Sequence, residues 1–302
     1  MRIKLILISV IFLVSGCGDR TVYRDTQILM GTTVEVVSGD RQASRIVFEE
    51  IQRIDNLLSK YKDDSEVALL NKKGELPVSP ETFYVIKKSK EFWQLSGGAF
   101  DVTVVPLMDL WGFTQQSYRI PSDDEIKEAL RYVGSDKIIF NDKNNVVKFK
   151  VLGVKIDLGA IGKGFAVDCA VKKLKERGIK SCLVNAGGHI YCLGDRSGRP
   201  WKIAIQDPRK LGFAGYVKLK DRAIATSGDY RQFFIEGNRR YAHIIDPRTG
   251  YPADSGVISA TVIAPDCTTA DAIATAVFVL GEGKGREFAK NFKEVELTVI
   301  AK

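Results

Sequence analysis

Apolar positions recur with a helical period from Arg41 to Leu58, where Ile46, Val47, Ile51, Ile54, Leu57 and Leu58 fall on one face. Ser65-Glu66 opens a shorter helix that reaches Asn71. Ser79-Pro80-Glu81 combines an N-cap serine with a proline in the first turn and predicts a helix to Leu95. Ser122 to Glu125 reads as a capping box for a helix ending at Tyr132. Between these, Ile28 to Val37 predicts one strand with Met30-Gly31-Thr32 at its head. Lys137 to Phe140 and Val146 to Val151 pair as a hairpin across Asn141 to Asn145. A β-like run, Val151 to Ile156, then leads through a glycine-rich turn into a helix from Phe165 to Arg177.

From Ser181 the pattern is mostly strands: Ser181–Val184, Ile190–Leu193, Trp201–Ile205, Val217–Leu219, Ala223–Ala225, Gln232–Ile235, Arg240–Ile244 and the β-rich Val257–Ala264. A helix from about Thr268 to just before Gly281, another from Gly283 to Phe292, and a strand from Glu296 to Ile300 close the chain. This order is neither a β-α alternation nor all-β, which predicts an α+β fold with largely antiparallel sheets and flanking helices. No Pro- or Ser-rich linker interrupts it, so residues 25–302 read as one folded unit.

The first residues follow a different logic. Arg2 and Lys4 precede an apolar run from Leu5 to Val14, too short to span a bilayer as a helix, and Val14-Ser15-Gly16-Cys17 follows. That is the layout of a secretory signal with small residues before a cysteine, as in bacterial lipoproteins. Residues 1–16 are therefore expected to be removed. Cys17 is expected to carry lipid, and residues 17–24 to tether the domain to a membrane on the periplasmic side. The alternative is an ordinary signal peptide or a buried strand. Four further cysteines, Cys169, Cys182, Cys192 and Cys267, show no C-x-x-C spacing. Export permits a disulfide, but apolar neighbours favour buried thiols.

Composition adds little: 45% hydrophobic and 27% charged residues suit a globular protein of 302 residues. The net charge of +8 fits an anionic ligand. No basic run with interleaved aromatics exists, which argues against nucleic acid.

Candidate chemistry centres on Asp157-Leu158-Gly159-Ala160-Ile161-Gly162-Lys163-Gly164 with Asp168. A glycine-rich turn feeding a helix offers backbone N–H groups to an anion, and Lys163 adds a point charge. The stretch meets neither the Walker A pattern nor G-x-G-x-x-G, and taken alone it reads more simply as a plain tight turn feeding a helix. Asp271 and Thr275 stand four positions apart on a predicted helix and share a face. Such oxygens suit Mg²⁺; alternatively Asp271 serves the helix dipole and Thr275 bonds back to the preceding turn. His243, ahead of Asp246-Pro247-Arg248-Thr249-Gly250, is a candidate general base or phosphate donor, or a satisfied strand histidine. With two histidines in the chain, a His-rich zinc cluster is excluded. Ser227, between Thr226 and Gly228, lacks a G-x-S-x-G elbow and reads as a hydrogen-bond donor to a ligand.

In this order the motifs resemble the ApbE family of FAD:protein FMN transferases. The resemblance is carried by Met30-Gly31-Thr32, Ser65-Glu66 with Asn71, Gly98-Ala99-Phe100-Asp101, Asp157 to Gly164 with Asp168, and Asn185 to Gly188. Thr226-Ser227-Gly228, His243 to Gly250 with Pro252, and Ala270 to Thr275 complete it. It implies a single T-fold-like catalytic unit that uses FAD and Mg²⁺, moves FMN onto an acceptor-protein threonine and releases AMP. The implied metal ligands are Asp271, Thr275 and the Ala160 carbonyl. Met30, Tyr61, Asp157, Lys163, Gly188, Ser227, Gly228 and His243 are the implied FAD contacts, with His243 and Asp271 catalytic. The implied acceptors are subunits of membrane redox pumps. Some relatives resemble FAD diphosphatases, in which water replaces threonine, and an FAD-binding lipoprotein without turnover is a further reading. One position departs from the pattern: the family usually follows Asn185–Gly188 with an aspartate, and this chain has His189.

Overall fold

The computed structural model describes residues 22–302. The leader, Cys17 and most of the expected tether lie outside that range. The chain begins with a hairpin, β1 (Tyr23–Leu29) and β2 (Thr32–Ser38), followed by α1 (Ala43–Leu58), α2 (Glu66–Lys73), β3 (Glu75–Pro77) and α3 (Pro80–Leu95). It continues through α4 (Val105–Leu110), α5 (Asp123–Leu130), β4 (Ile138–Asn141), β5 (Val146–Phe149) and α6 (Gly162–Glu176). Then come β6 (Cys182–Ala186), β7 (His189–Leu193), β8 (Trp201–Gln206), β9 (Phe213–Leu219), β10 (Arg222–Gly228), β11 (Phe233–Glu236) and β12 (Arg239–Ala242). The last elements are β13 (Val257–Ala264), α7 (Cys267–Leu280), α8 (Glu282–Ala289) and β14 (Glu296–Ala301).

A seven-stranded sheet in the order β1-β2-β6-β7-β10-β13-β14 is the frame, and each of its pairings is antiparallel. Helices α1, α6 and α7 lie on one face. Val47, Ile51, Ile54 and Leu58 of α1, at helical spacing, join Val34 and Val36 of β2 in the main core. The opposite face is covered by the β8–β9 hairpin, whose Trp201, Ile203 and Ile205 point inward while the residues between them are exposed. Both faces being covered, β13 is buried along its whole length. A third cluster under α4 and α5 joins Leu107, Trp111, Phe113, Ile126 and Val133 to Ile245. There the Trp111 indole N–H donates to the Gly250 carbonyl at 2.9 Å.

The α+β expectation with antiparallel sheets holds. Two local expectations do not. The single strand Ile28–Val37 is a hairpin, because Met30 (φ 51°) and Gly31 (φ 68°) take the two left-handed positions of a tight turn. Pairing then starts at Tyr23, inside the expected tether. The run Val151 to Ile156 forms no strand. Its end is clamped by the Asn71 amide, which accepts from the Ile156 N–H at 2.7 Å and donates to the Ile156 carbonyl at 2.9 Å. A side-chain clamp satisfies that peptide, so no ladder partner is needed there. All four described cysteines are free thiols. Cys182 and Cys192 lie on neighbouring strands, but one belongs to the helix-side core and the other to the hairpin-side core.

The tightest approach in the frame is between the starts of α6 and α7. A Cβ on Gly164 would stand 2.3 Å from the Cys267 carbonyl oxygen. Helix propensity alone makes Gly164→Ala stabilising by about 1 kcal/mol. The clash reverses the sign, and we expect a net loss of about 1–3 kcal/mol. A lower urea midpoint at unchanged slope is the readout; an equal or higher midpoint would show that the helices can part without cost.

Candidate active site

The α6–α7 contact forms the floor of a cleft of about 410 Å³. Met30 enters it from the β1–β2 turn, Tyr61 from the loop after α1, and Asp157, Ala160 and Lys163 from the glycine-rich stretch. Ser227 and Gly228 come from the end of β10, His243 from just beyond β12, and Asp271 and Thr275 from α7. Residues spread over nearly the whole chain thus meet in one place. Gly188 is the exception among the expected contacts. Gly187 takes the cleft wall, and Gly188 opens onto a neighbouring groove beside Arg231.

Asp271 is 2% exposed and uses both carboxylate oxygens. Oδ2 accepts from the Gly164 N–H at 3.1 Å, and Oδ1 lies 2.9 Å from His189 Nε2. Burial on its own raises a carboxyl pKa. Here His189, Lys163 and the Gly164 N–H outweigh it, and Asp271 is held below the ordinary value, as an anion. One turn further on, the Thr275 and Ser227 hydroxyls lie 3.1 Å apart. Asp168 on α6 caps the start of α7, accepting from the Cys267 and Thr268 N–H groups at 2.8 Å each. It is a structural bolt and does not line the cleft.

The glycine-rich stretch serves two purposes. Gly164 permits the helix contact, and Lys163 reaches back to the Gly159 carbonyl at 2.7 Å, at the start of α6, where the helix dipole favours an anion. Ile161, the N-cap, gives no side-chain cap. The arrangement offers a metal-competent carboxylate, two hydroxyls and a cationic rim to a polyanionic ligand.

The ApbE family model matches residues 30–299. The chain belongs to the ApbE family. It is 36% identical over 281 residues to the FAD:protein FMN transferase of Haemophilus influenzae, covering 86% of this chain and 81% of that one. It is 33% identical over 324 residues to the FAD:protein FMN transferase of Treponema pallidum, covering 98% and 90%. Among solved structures, the ApbE protein of Thermotoga maritima superposes with a TM-score of 0.86 at 38% identity, covering 93% of this chain and 94% of that one. The flavin transferase ApbE of Vibrio cholerae gives 0.84 at 32% identity with the same coverage.

Several residues in the cleft of this ApbE-family chain, or directly behind it, escape a reading of motifs. Lys60, its side chain 6% exposed, pairs with Asp157 at 2.9 Å. Burial lowers a lysine pKa, but the Asp157 charge prevails and keeps Lys60 above its ordinary value. This pair aims Asp157, whose Oδ1 also accepts from the Gly159 N–H at 2.8 Å. Phe113, Met108 and Gln232 line the far wall. The Arg231-Gln232 pair follows the Thr226-Ser227-Gly228 motif with two residues between, the one hint the sequence offers. Asn71 does not reach the cleft; it acts on the backbone one residue before Asp157.

His243 Nδ1 lies 3.0 Å from the Gln232 carbonyl. A carbonyl only accepts, so Nδ1 carries the hydrogen and Nε2 keeps its lone pair. Burial, aided by the Lys163 charge, pushes the imidazole down to about 4 against the opposing Gln232 bond. His243 is therefore a neutral base at neutral pH. The unfolded chain binds this proton at higher pH, so the stability His243 contributes is full above about 6.5 and is lost as pH falls toward 4. With two histidines in the chain, a proton–carbon NMR titration with His243→Ala for assignment is decisive: a midpoint near 4 is expected, and one above 6 would remove the neutral base.

Proposed function

We propose that this chain transfers the FMN moiety of FAD to a threonine hydroxyl of an acceptor protein and releases AMP. Flavin transfer as the class of activity rests on membership of the ApbE family and on relatives named FAD:protein FMN transferase. The observation that carries the finer reading is the convergence of Asp271, Thr275, Lys163 and His243 on one cleft. In the transfer, the threonine oxygen forms a new bond to the flavin-side phosphorus of the diphosphate. The anhydride bond breaks, AMP leaves with the bridging oxygen, and the threonine proton passes to a base.

The residues each have a task in that reaction. Lys163 and the start of α6 hold the diphosphate and take up part of its charge. Neutral His243, with Nε2 free, receives the threonine proton or bonds to the reacting phosphate. Tyr61, 70% exposed at the mouth, offers a ring face to the flavin. Met30, Asp157, Ser227 and Gly228 shape the remainder of the FAD site. The donor set suits a divalent cation: a buried anionic carboxylate, a hydroxyl one turn away and, on the rim, the Ala160 carbonyl. We assign Mg²⁺ or a similar ion to Asp271, Thr275 and Ala160. When bound, such an ion neutralises charge on the diphosphate and its leaving oxygen.

The same reading places the protein on the periplasmic side, held by lipid on Cys17, with membrane redox-pump subunits as acceptors. Labelling of the cells with a radioactive fatty acid, lost in Cys17→Ala, tests the anchor.

Mixing the full chain in detergent with FAD and Mg²⁺, with and without a threonine-bearing acceptor domain, tests the chemistry. An FMN adduct on the acceptor matched by AMP release is expected. AMP and free FMN without an adduct would make it an FAD diphosphatase, and intact bound FAD would leave only a carrier. Asp271→Ala is expected to lower turnover by about 10²-fold or more. Full activity in that variant would remove the assigned metal site.

A further inference from the structure

His189 is a titratable cleft residue to which the transfer reaction assigns no task. It is the first residue of β7, placed directly after the two-residue Gly187-Gly188 turn, and is 7% exposed. Its ring is fixed at both ends: Nδ1 lies 3.0 Å from the Ala186 carbonyl, and Nε2 lies 2.9 Å from Asp271 Oδ1. The carbonyl has no hydrogen to give, so Nδ1 carries one and donates. In the neutral ring, Nε2 then presents a lone pair to a carboxylate oxygen that also presents lone pairs. Two such atoms at this distance need a cation to bring them together, either a proton on the ring or a metal ion that both ligate.

The first is the ion pair that helps to hold Asp271 as an anion in the empty cleft, and the same spacing fits the second once a cation is bound. Neighbouring donors in an octahedral shell with bonds of about 2.1 Å lie about 3 Å apart, which is the spacing of Nε2 and Oδ1. Orientation by a backbone carbonyl at the far nitrogen is how metal-binding histidines are held. Asp271 Oδ2 is meanwhile engaged by the Gly164 N–H, leaving Oδ1 on the His189 side as the metal-facing oxygen. Ala186, which orients the ring, is itself fully buried in the strand opposite, so the ring has little freedom to swing away.

We propose that His189 is a third side-chain ligand of the cleft's divalent cation, giving a nitrogen-containing site that takes Mn²⁺ or another first-row ion in preference to Mg²⁺. The inference rests on the metal reading above. An all-oxygen shell suits Mg²⁺, whereas an imidazole shifts preference toward the transition-metal series. The chemistry at the diphosphate is unchanged, and what changes is which ion fills the site.

Mn²⁺ is the probe. The full chain in detergent is loaded with Mn²⁺, with and without FAD, and examined by electron spin-echo envelope modulation. A nitrogen-14 coupling that converts to nitrogen-15 when the protein carries labelled histidine, and that vanishes in His189→Asp, is expected. The Mn²⁺-to-Mg²⁺ affinity ratio, measured by competition, is expected to fall about 10-fold or more in the same variant. Mn²⁺ bound in a manner abolished by Asp271→Ala, but without histidine coupling in the native chain, would overturn the role of His189 and leave the metal reading standing. No Mn²⁺ binding with or without FAD would overturn both. Should His189→Asp fold poorly, the coupling in His243→Ala decides the matter: its retention assigns it to His189, and its loss would overturn the role of His189.

Discussion

The contact between the first turns of α6 and α7 is the constraint from which the rest of the site follows. Gly164 has no side chain, so the α6 backbone comes close enough for its N–H to reach Asp271 Oδ2 at 3.1 Å. From the other direction, Asp168 on α6 caps two N–H groups of α7. The two helices are thus bolted by reciprocal backbone-to-carboxylate bonds in a buried, low-dielectric place, where such bonds are strong and their loss is costly. Any widening would break both bolts and remove the floor of the cleft.

Burying a carboxylate as an anion is unfavourable unless its charge is matched. At Asp271 the matching comes from two elements: α6, through the Gly164 N–H and Lys163, and the sheet, through His189. A second buried charge, Lys60, is matched by Asp157. Lys163, His189 and Asp271 stand on elements whose other residues pack in the apolar main core, so these polar groups are held by scaffold they do not have to stabilise. Preorganised charges of this kind need little rearrangement when a ligand with developing charge arrives.

The periphery performs a second positioning task. The aromatic cluster of Trp111, Phe113, Phe234 and Tyr241 locks the β11–β12 hairpin against α4 and α5. His243 leaves that hairpin with Nδ1 tied to Gln232, so the packing of a satellite core decides where a base points. The groove beside Gly188, shared through Thr32, Gly187, Thr226 and Arg231, joins the cleft on the hairpin-covered side of the sheet.

By itself the sequence determined the helices with strong caps and apolar periods, the strand-rich second half and the α+β class, because these depend on local periodicity. Much of the cleft was legible too: Asp157, Lys163, Ser227, Gly228, His243, Asp271 and Thr275 stand in short motifs of small residues around one polar group, whereas Met30 and Tyr61 were implied by the family resemblance alone. Tertiary structure decided the rest. Val151–Ile156 looks like a strand and is not one, since its backbone is satisfied by Asn71 from another element. Gly164 reads as a phosphate-loop glycine, yet its requirement is set by the Cys267 carbonyl about a hundred residues later. Lys60 carries no motif, and only the fold brings it to Asp157. His189 stands in the sequence as a lone departure after a glycine pair. Its partners are an alanine carbonyl across a turn and a carboxylate from a helix far along the chain, and contacts between distant segments leave no periodic trace for a reader of the sequence to find.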